Sequence, residues 1–333
     1  MGEKGQPNAT LKEISEPVRI ELDALENHFR DYLRTDVPVI DSIFQHLLDG
    51  GGKRFRPLLV LLVASCNNSI PPEDINRLAV AVEFIHTATL LHDDVVDQSD
   101  VRRGNRVAHH IWGAEPSVLA GDYLYSRAFS ILVEIGHLGI LQAMSTATTS
   151  MARGEVLQLL RSYSAATTIE EYIEVITGKT ASLISGSCRA AGYLANFDDV
   201  VLKAVEQYGL NLGLSFQIVD DILDYTAQKG VFGKTTGKDF LEGKVTLPVI
   251  ILQEVLGSGS RREVADIFLK EAPDPDDFEK VREMMNQEGV FERTREIARQ
   301  YSDTANAELA VFPKSDSRTS LEAMAKYVVY RQA

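Results

Sequence analysis

The chain is poor in cysteine, in long apolar runs and in positive charge, and each shortage excludes a class of protein. Cys66 and Cys188 are the only cysteines in 333 residues. They are too few and too widely spaced for a disulfide scaffold or a thiolate metal site, so buried, reduced thiols are expected. No apolar stretch, Leu58 to Ala64 included, approaches the roughly 18 residues that a membrane-spanning helix needs. Met1 to Pro17 is polar and mixed in charge, without the apolar core of a secretion signal or the Arg/Ser bias of a transit peptide, which predicts a cytoplasmic protein. Acidic residues outnumber basic ones 48 to 34, a net charge of -14. That balance argues against nucleic acid or an anionic membrane as a partner, and an anionic ligand must find a local cationic site.

With 44% apolar and 25% charged residues and no Pro/Gly/Ser-rich linker, the whole chain, 1–333, reads as one globular domain. Strand signals are weak, whereas apolar residues recur at helical spacing, as in Leu78, Val82, Ile85 and again in Val156, Leu159, Leu160. An all-α bundle is therefore expected. Breaks are marked at Asp49 to Gly52, Asn67 to Pro72, Arg103 to Asn105, Lys229-Gly230, Gly257 to Gly259 and Ala272 to Pro275. Beyond about Ser258 the chain is charged and amphipathic without clustered chemistry, and peripheral scaffold is predicted there.

Chemistry is concentrated in two aspartate clusters at the ends of apolar helices. Leu90-Leu91-His92-Asp93-Asp94-Val95-Val96-Asp97 places Asp93 and Asp97 on one helix face. Phe216-Gln217-Ile218-Val219-Asp220-Asp221-Ile222-Leu223-Asp224 repeats the pattern with Asp220 and Asp224. A solvated helix end explains one such match but not two, because crowded carboxylates repel one another and are costly to desolvate unless a cation neutralises them. Hard oxygen donors suit Mg²⁺, which takes one or two carboxylates and completes its shell with water and phosphate oxygens. A calcium loop would need alternating loop oxygens and a turn glycine, which neither cluster has.

Basic residues lie where an anion would be needed. Gly51-Gly52-Lys53-Arg54-Phe55-Arg56-Pro57 sets three cations around a glycine-rich helix entry, a natural anion site. Asp100-Val101-Arg102-Arg103-Gly104 follows the first cluster closely with two guanidiniums, the planar donors that fit phosphate. His86, seven residues before Asp93, falls on nearly the same face. Gly178-Lys179-Thr180 interrupts an apolar helix, and Phe232-Gly233-Lys234-Thr235-Thr236-Gly237-Lys238-Asp239 with Gly243-Lys244 follows the second cluster. That stretch has the wrong glycine spacing for a nucleotide-type phosphate loop, so its lysines must act individually.

In order and spacing, GGKRFRP, LLHDDVVDQSDVRRG, GKT, FQIVDDILDYT and FGKTTGKDFLEGKVTLP resemble the motifs of the trans-isoprenyl diphosphate synthases, over roughly Leu47 to Leu252. The resemblance implies an antiparallel helical bundle around a deep central cavity, usually in a homodimer, with the two aspartate motifs facing across its mouth. It implies a prenyltransferase that condenses isopentenyl diphosphate head-to-tail with an allylic diphosphate such as farnesyl or geranylgeranyl diphosphate, using about three Mg²⁺ ions per site. Carried over residue by residue, Asp93, Asp97 and Asp220 would hold Mg²⁺ on the allylic diphosphate, with Asp94, Asp221 and Asp224 in support through ligation or water. Arg102, Lys179, Thr180, Gln217, Lys234 and Lys244 would line the allylic site, and Lys53, Arg56, His86 and Arg103 the isopentenyl diphosphate pocket. Lys238 is a cation beyond the family pattern, and catalysis is not expected to depend on it.

The residues one and two turns before Asp93 are Thr89, Ala88 and Ile85, where early-terminating members of the resembling family carry a bulky aromatic floor. A long all-trans product of roughly seven to ten isoprene units, of the kind used for quinone side chains, follows by analogy. The floor would then lie deeper, at Tyr125, Phe129 or Leu132. Gly178, Ala181, Ser182 and Gly186 fit either close substrate approach or close helix packing. A class I terpene cyclase would need no second diphosphate pocket, a noncatalytic synthase subunit commonly loses an aspartate motif, and a plain helical scaffold explains neither cluster.

Overall fold

The computed structural model describes residues 9–67, 74–226, 237–270 and 273–331. Helical periodicity dominates, and the elements in chain order begin with α1 (Leu11–Ser15), α2 (Arg19–Leu33), α3 (Pro38–Asp49), α4 (Phe55–Ala64) and α5 (Ile75–Val96). A two-residue hairpin, β1 (Val101–Arg102) and β2 (Asn105–Arg106), precedes α6 (Ala108–Trp112), α7 (Ala114–Ile135) and α8 (Leu138–Arg161). Next come α9 (Ile169–Ile176), a π-helical turn at Thr177–Ala181, α10 (Ser182–Leu194) and α11 (Asp199–Thr226). The remainder is α12 (Lys238–Leu241), α13 (Leu247–Val255), α14 (Ser258–Phe268), α15 (Pro275–Gln287), α16 (Val290–Glu308) and α17 (Asp316–Tyr330). The all-α bundle is as the sequence predicts.

Helix α4 is apolar on every side and all but one of its residues are buried, as a helix without a polar face must be. It packs against α5 and α10 beneath one large core, which α7 and α17 complete. A second core gathers around Tyr225, Phe240, Phe268 and Phe278, where α11 meets α13 to α16. Helix α16 lies along α11 and belongs to that core, so the segment after Ser258 is more than peripheral scaffold. The Arg103 to Asn105 break is the hairpin turn, with Arg103 and Gly104 both at positive φ. Among the described residues no helix is long and apolar enough to cross a membrane.

The small residues near the π turn serve packing. A Cβ on Gly154 would stand 2.5 Å from the Lys179 backbone nitrogen, and one on Gly178 would stand 2.8 Å from the Ser150 carbonyl oxygen. Ser182 donates to the Gly178 carbonyl at 2.6 Å, and Gly186 faces Ala147. Helix α8 and the π turn thus meet backbone to backbone, which sets where Lys179 and Thr180 emerge. Gly154→Ala should lower stability by about 1–3 kcal/mol through overpacking and displace Lys179, to be read as a fall in Tm together with lost turnover.

Candidate active site

Helix α5 carries the first cluster out of the core at its C-terminal end. Asp94 is buried and receives Arg102 from the hairpin side-on: Nε donates to both carboxylate oxygens at 2.9 and 3.0 Å, and Nη2 lies 2.8 Å away. Asp94 is committed to orienting Arg102. Asp93 is half-buried, and burial, reinforced by Glu155 and Asp97 and opposed by Lys179 and Arg102, lifts its carboxyl from 3.8 to about 6. Lys179 pairs with Glu155 of α8 at 2.9 Å. Glu155 is thus a third carboxylate at this face that the sequence reading missed, since one glutamate in a mixed helix carries no local signal.

The second cluster splits by role. Asp220 accepts from Arg331, just past the end of α17, at 2.6 Å, and that guanidinium stacks 3.8 Å from the Phe216 ring centroid and donates to the Phe216 carbonyl at 3.0 Å. Asp221 is buried, with one oxygen accepting from the Tyr172 hydroxyl at 2.6 Å and the other from the Gln217 amide at 2.8 Å. The Gln217 amide oxygen accepts in turn from Thr180 at 2.7 Å. Asp224 accepts from the backbone N–H groups of Lys238 and Asp239 at 3.2 and 3.1 Å, holding the start of α12. In this arrangement Asp221 and Asp224 are turned to protein donors, and Asp220 is the carboxylate of this cluster that meets Arg331.

Lys244 ties the first cluster to α12 and the residues after it. Its ammonium lies 3.1 Å from Asp97 and 3.5 Å from Asp239, with Glu242 also in reach. Burial alone would lower its pKa, yet Asp239, Asp97 and Glu242 together push it well above 10.5. Lys238 bonds the Ser99 hydroxyl and pairs with Glu242 at 3.3 Å, tying α12 to the loop after the first cluster. Lys234 lies outside the described residues.

The basic residues separate in the same way. Arg54 turns inward to Glu26 at 2.8 Å and Glu83 at 3.1 Å, so it is structural. Arg56 is half-buried with its Nε buried and unpartnered, while Lys53 and Arg103 are exposed. His86 feels burial first and then Arg56, Arg103, Arg102 and Arg54, which drive its pKa well below 6.5. Crowded cations with an orphaned guanidinium N–H form a ready anion site. A pocket open to solvent, about 800 Å³ with that open solvent included, is lined by His86, Arg102 and Arg103 and by Phe44, Leu47 and Phe84. A second, of about 570 Å³, is lined by Lys179, Gln217, Asp221, Asp239 and Lys244.

Ile85 and Ala88 are fully buried in the larger core, and Thr89 is half-buried with its hydroxyl donating to the His86 carbonyl at 2.7 Å. Tyr125 stacks on His92 at 6.0 Å, and burial together with nearby Asp93 and Glu155 raises its hydroxyl to about 12. It therefore neighbours the carboxylates and is no deep floor. Phe129 packs at the edge of the core and Leu132 is fully buried.

A divalent cation fits this geometry. Burial, with Glu155 and Asp97 adding to it, lifts the Asp93 carboxyl to about 6, and a cation placed there would offset both. Among the described residues no three His, Cys, Asp or Glu side chains converge as a metal cluster.

The model of the polyprenyl synthetase family matches residues 37–285. The octaprenyl diphosphate synthase of Escherichia coli (strain K12) is 37% identical over 321 residues, 96% of this chain and 99% of that protein. The solved decaprenyl diphosphate synthase of Rhodobacter capsulatus superposes with a TM-score of 0.91 at 37% identity, covering 97% of this chain and 100% of that one. A polyprenyl synthase from Caulobacter crescentus CB15, solved with calcium and isoprenyl diphosphate, gives 0.93 at 37% identity over 99% and 100%. The family model spans most of the chain and these relatives nearly all of it, and the chain belongs to the polyprenyl synthetase family.

Proposed function

We propose that this chain is a Mg²⁺-dependent trans-polyprenyl diphosphate synthase that joins isopentenyl diphosphate head-to-tail to an allylic diphosphate and repeats the step to a long product. The observation that carries the reading is the juxtaposition of two unlike anion sites. One is carboxylate-rich, with Asp93, Asp97 and Glu155 beside Lys179 and Arg102, and suits a metal-bound diphosphate. The other is rich in cations, with Lys53, Arg56, His86 and Arg103 near one another and Glu83 at hand, beside a partly apolar pocket that His86 and Arg103 line, and suits a small diphosphate ester. A hydrolase or cyclase needs only the first.

When bound, Mg²⁺, here read as about three ions, neutralises diphosphate charge as a Lewis acid. Lys179 and Arg102 donate to the departing diphosphate as its C–O bond breaks. Thr180 and the Gln217 amide oxygen face the allylic carbon as it becomes cationic. Lys53, Arg56, His86 and Arg103 hold isopentenyl diphosphate so that its double bond forms the new C–C bond, and a proton then leaves to the released diphosphate. A farnesyl or geranylgeranyl primer and a quinone side-chain product are in keeping with the absence of a bulky residue at Ala88 and Thr89. The chain acts as one domain in the cytoplasm, as a homodimer; Leu119, Val133, Leu138, Val156 and Leu160 leave α7 and α8 with exposed apolar surface for a second copy.

The test couples two readings, release of inorganic diphosphate and consumption of labelled isopentenyl diphosphate. A ratio of about one supports the reading, and diphosphate release without incorporation of label overturns it. Because Arg331 occupies Asp220, Arg331→Gln should lower the half-saturating Mg²⁺ concentration severalfold while destabilising the metal-free protein by about 1–2 kcal/mol. Mg²⁺ titration of activity and the Tm without metal check both.

A further inference from the structure

Tyr172 is buried at 4% exposure on the last turn but one of α9, and the mechanism above gives its hydroxyl nothing to do. A buried phenol with a single partner is costly unless that partner matters. Its partner is Asp221 at 2.6 Å, and from there the bonds run on without a gap: Asp221 accepts from the Gln217 amide at 2.8 Å, and Gln217 accepts from the Thr180 hydroxyl at 2.7 Å. The chain of bonds crosses from α9 to α11 and back to the π turn.

The donor order within it is fixed by chemistry. The Tyr172 hydroxyl and the Gln217 N–H₂ group each donate to one oxygen of Asp221, so the Gln217 carbonyl oxygen is left on the Thr180 side. This assignment depends on the Asp221 carboxylate keeping one oxygen toward Gln217. Asp221 stands near Asp239 and beside Asp220, whose negative charges repel it. The Tyr172 hydroxyl holds the second oxygen and so stops the carboxylate from swinging away.

We propose that Tyr172 is a positioning residue for chain transfer: its hydroxyl locks Asp221, and through Asp221 it keeps the carbonyl oxygen of Gln217 aimed at the allylic carbon. This rests on the function argued above and deepens it, since it gives Asp221 the task of orienting an amide in place of ligating metal. Without the lock, the Gln217 amide can present its N–H₂ group, a positive dipole end, to a carbon that is becoming a cation.

The experiment is a double-mutant cycle on the full-length protein with isopentenyl diphosphate, farnesyl diphosphate and Mg²⁺, measuring kcat, both KM values and Tm for wild type, Tyr172→Phe, Gln217→Met and the double variant. Tyr172→Phe should lower kcat by about tenfold with both KM values within about twofold. In the Gln217→Met background the same change should cost less than about twofold, because the amide it positions is gone. An equal loss in both backgrounds would make Tyr172 merely structural and overturn the proposal, as would wild-type kcat in Tyr172→Phe. Wild-type protein that does not extend farnesyl diphosphate at all would overturn the function on which the proposal rests.

Discussion

Asp93→Asn should cut turnover by at least about 10³-fold and at the same time make the metal-free protein more stable at neutral pH. Loss of turnover follows from removing a carboxylate that faces Lys179, Glu155 and Asp97 at the metal-binding end of α5. The gain in stability follows from the same crowding. Burial, Glu155 and Asp97 raise the Asp93 carboxyl from 3.8 to about 6, so the folded protein binds this proton more tightly than the unfolded chain. Stability of the metal-free wild type is therefore lost as pH rises through that window and stays low above it. Asparagine carries no charge and escapes the loss, by on the order of 1–3 kcal/mol at pH 7.5. The Tm gap between variant and wild type should close as pH falls toward about 4. Equal Tm values at pH 7.5 would show that the carboxylate is not strained there.

Lys244→Met is expected to have the largest effect on folding. The ammonium sits at 13% exposure among Asp97, Asp239 and Glu242, and its removal leaves carboxylates facing one another with no cation between them. Breaking a buried ion pair by removing one partner costs about 3 kcal/mol or more, which for a chain of this size lowers Tm by roughly 5–10 °C. Those carboxylates hold the lysine pKa well above 10.5, so the stabilisation is present throughout neutral pH and is lost only in strong alkali. The deficit of the variant should accordingly be the same at pH 6.5 and pH 8.5, and thermal melts at the two values check it. Excess Mg²⁺ with inorganic diphosphate should restore part of it by supplying positive charge to Asp97.

What could be read from the sequence was local. Asp93 and Asp97 declare themselves by their spacing on one helix face, and Lys53, Arg56, Arg102 and Arg103 by standing out against an acidic chain. The helical period likewise gives the bundle. What could not be read was pairing across the fold. Arg331 lies 111 residues from Asp220, Tyr172 lies 49 from Asp221, and Lys244 lies 147 from Asp97. No periodicity links such positions, and only the docking of α9 and α17 on α11, and of the segment after α12 on the end of α5, brings them together. Arg54 and Arg56 look alike in sequence, yet the helical turn of α4 sends one to Glu26 and Glu83 and leaves the other with an unpartnered Nε. The helix boundary at Gly136, a lone glycine in the left-handed region at φ 74, was similarly invisible, because a single glycine is a weak breaker until its backbone angle is known.

The central claim is that one cleft holds an allylic diphosphate and isopentenyl diphosphate together and repeats their condensation. It is tested most directly by incubating the protein with farnesyl diphosphate, labelled isopentenyl diphosphate and Mg²⁺ and sizing the dephosphorylated products. A ladder ending at roughly seven to ten isoprene units, absent in Asp93→Asn, is the predicted result. Label confined to the first addition would contradict the long-chain reading, and consumption of farnesyl diphosphate with no label in any product would contradict condensation itself.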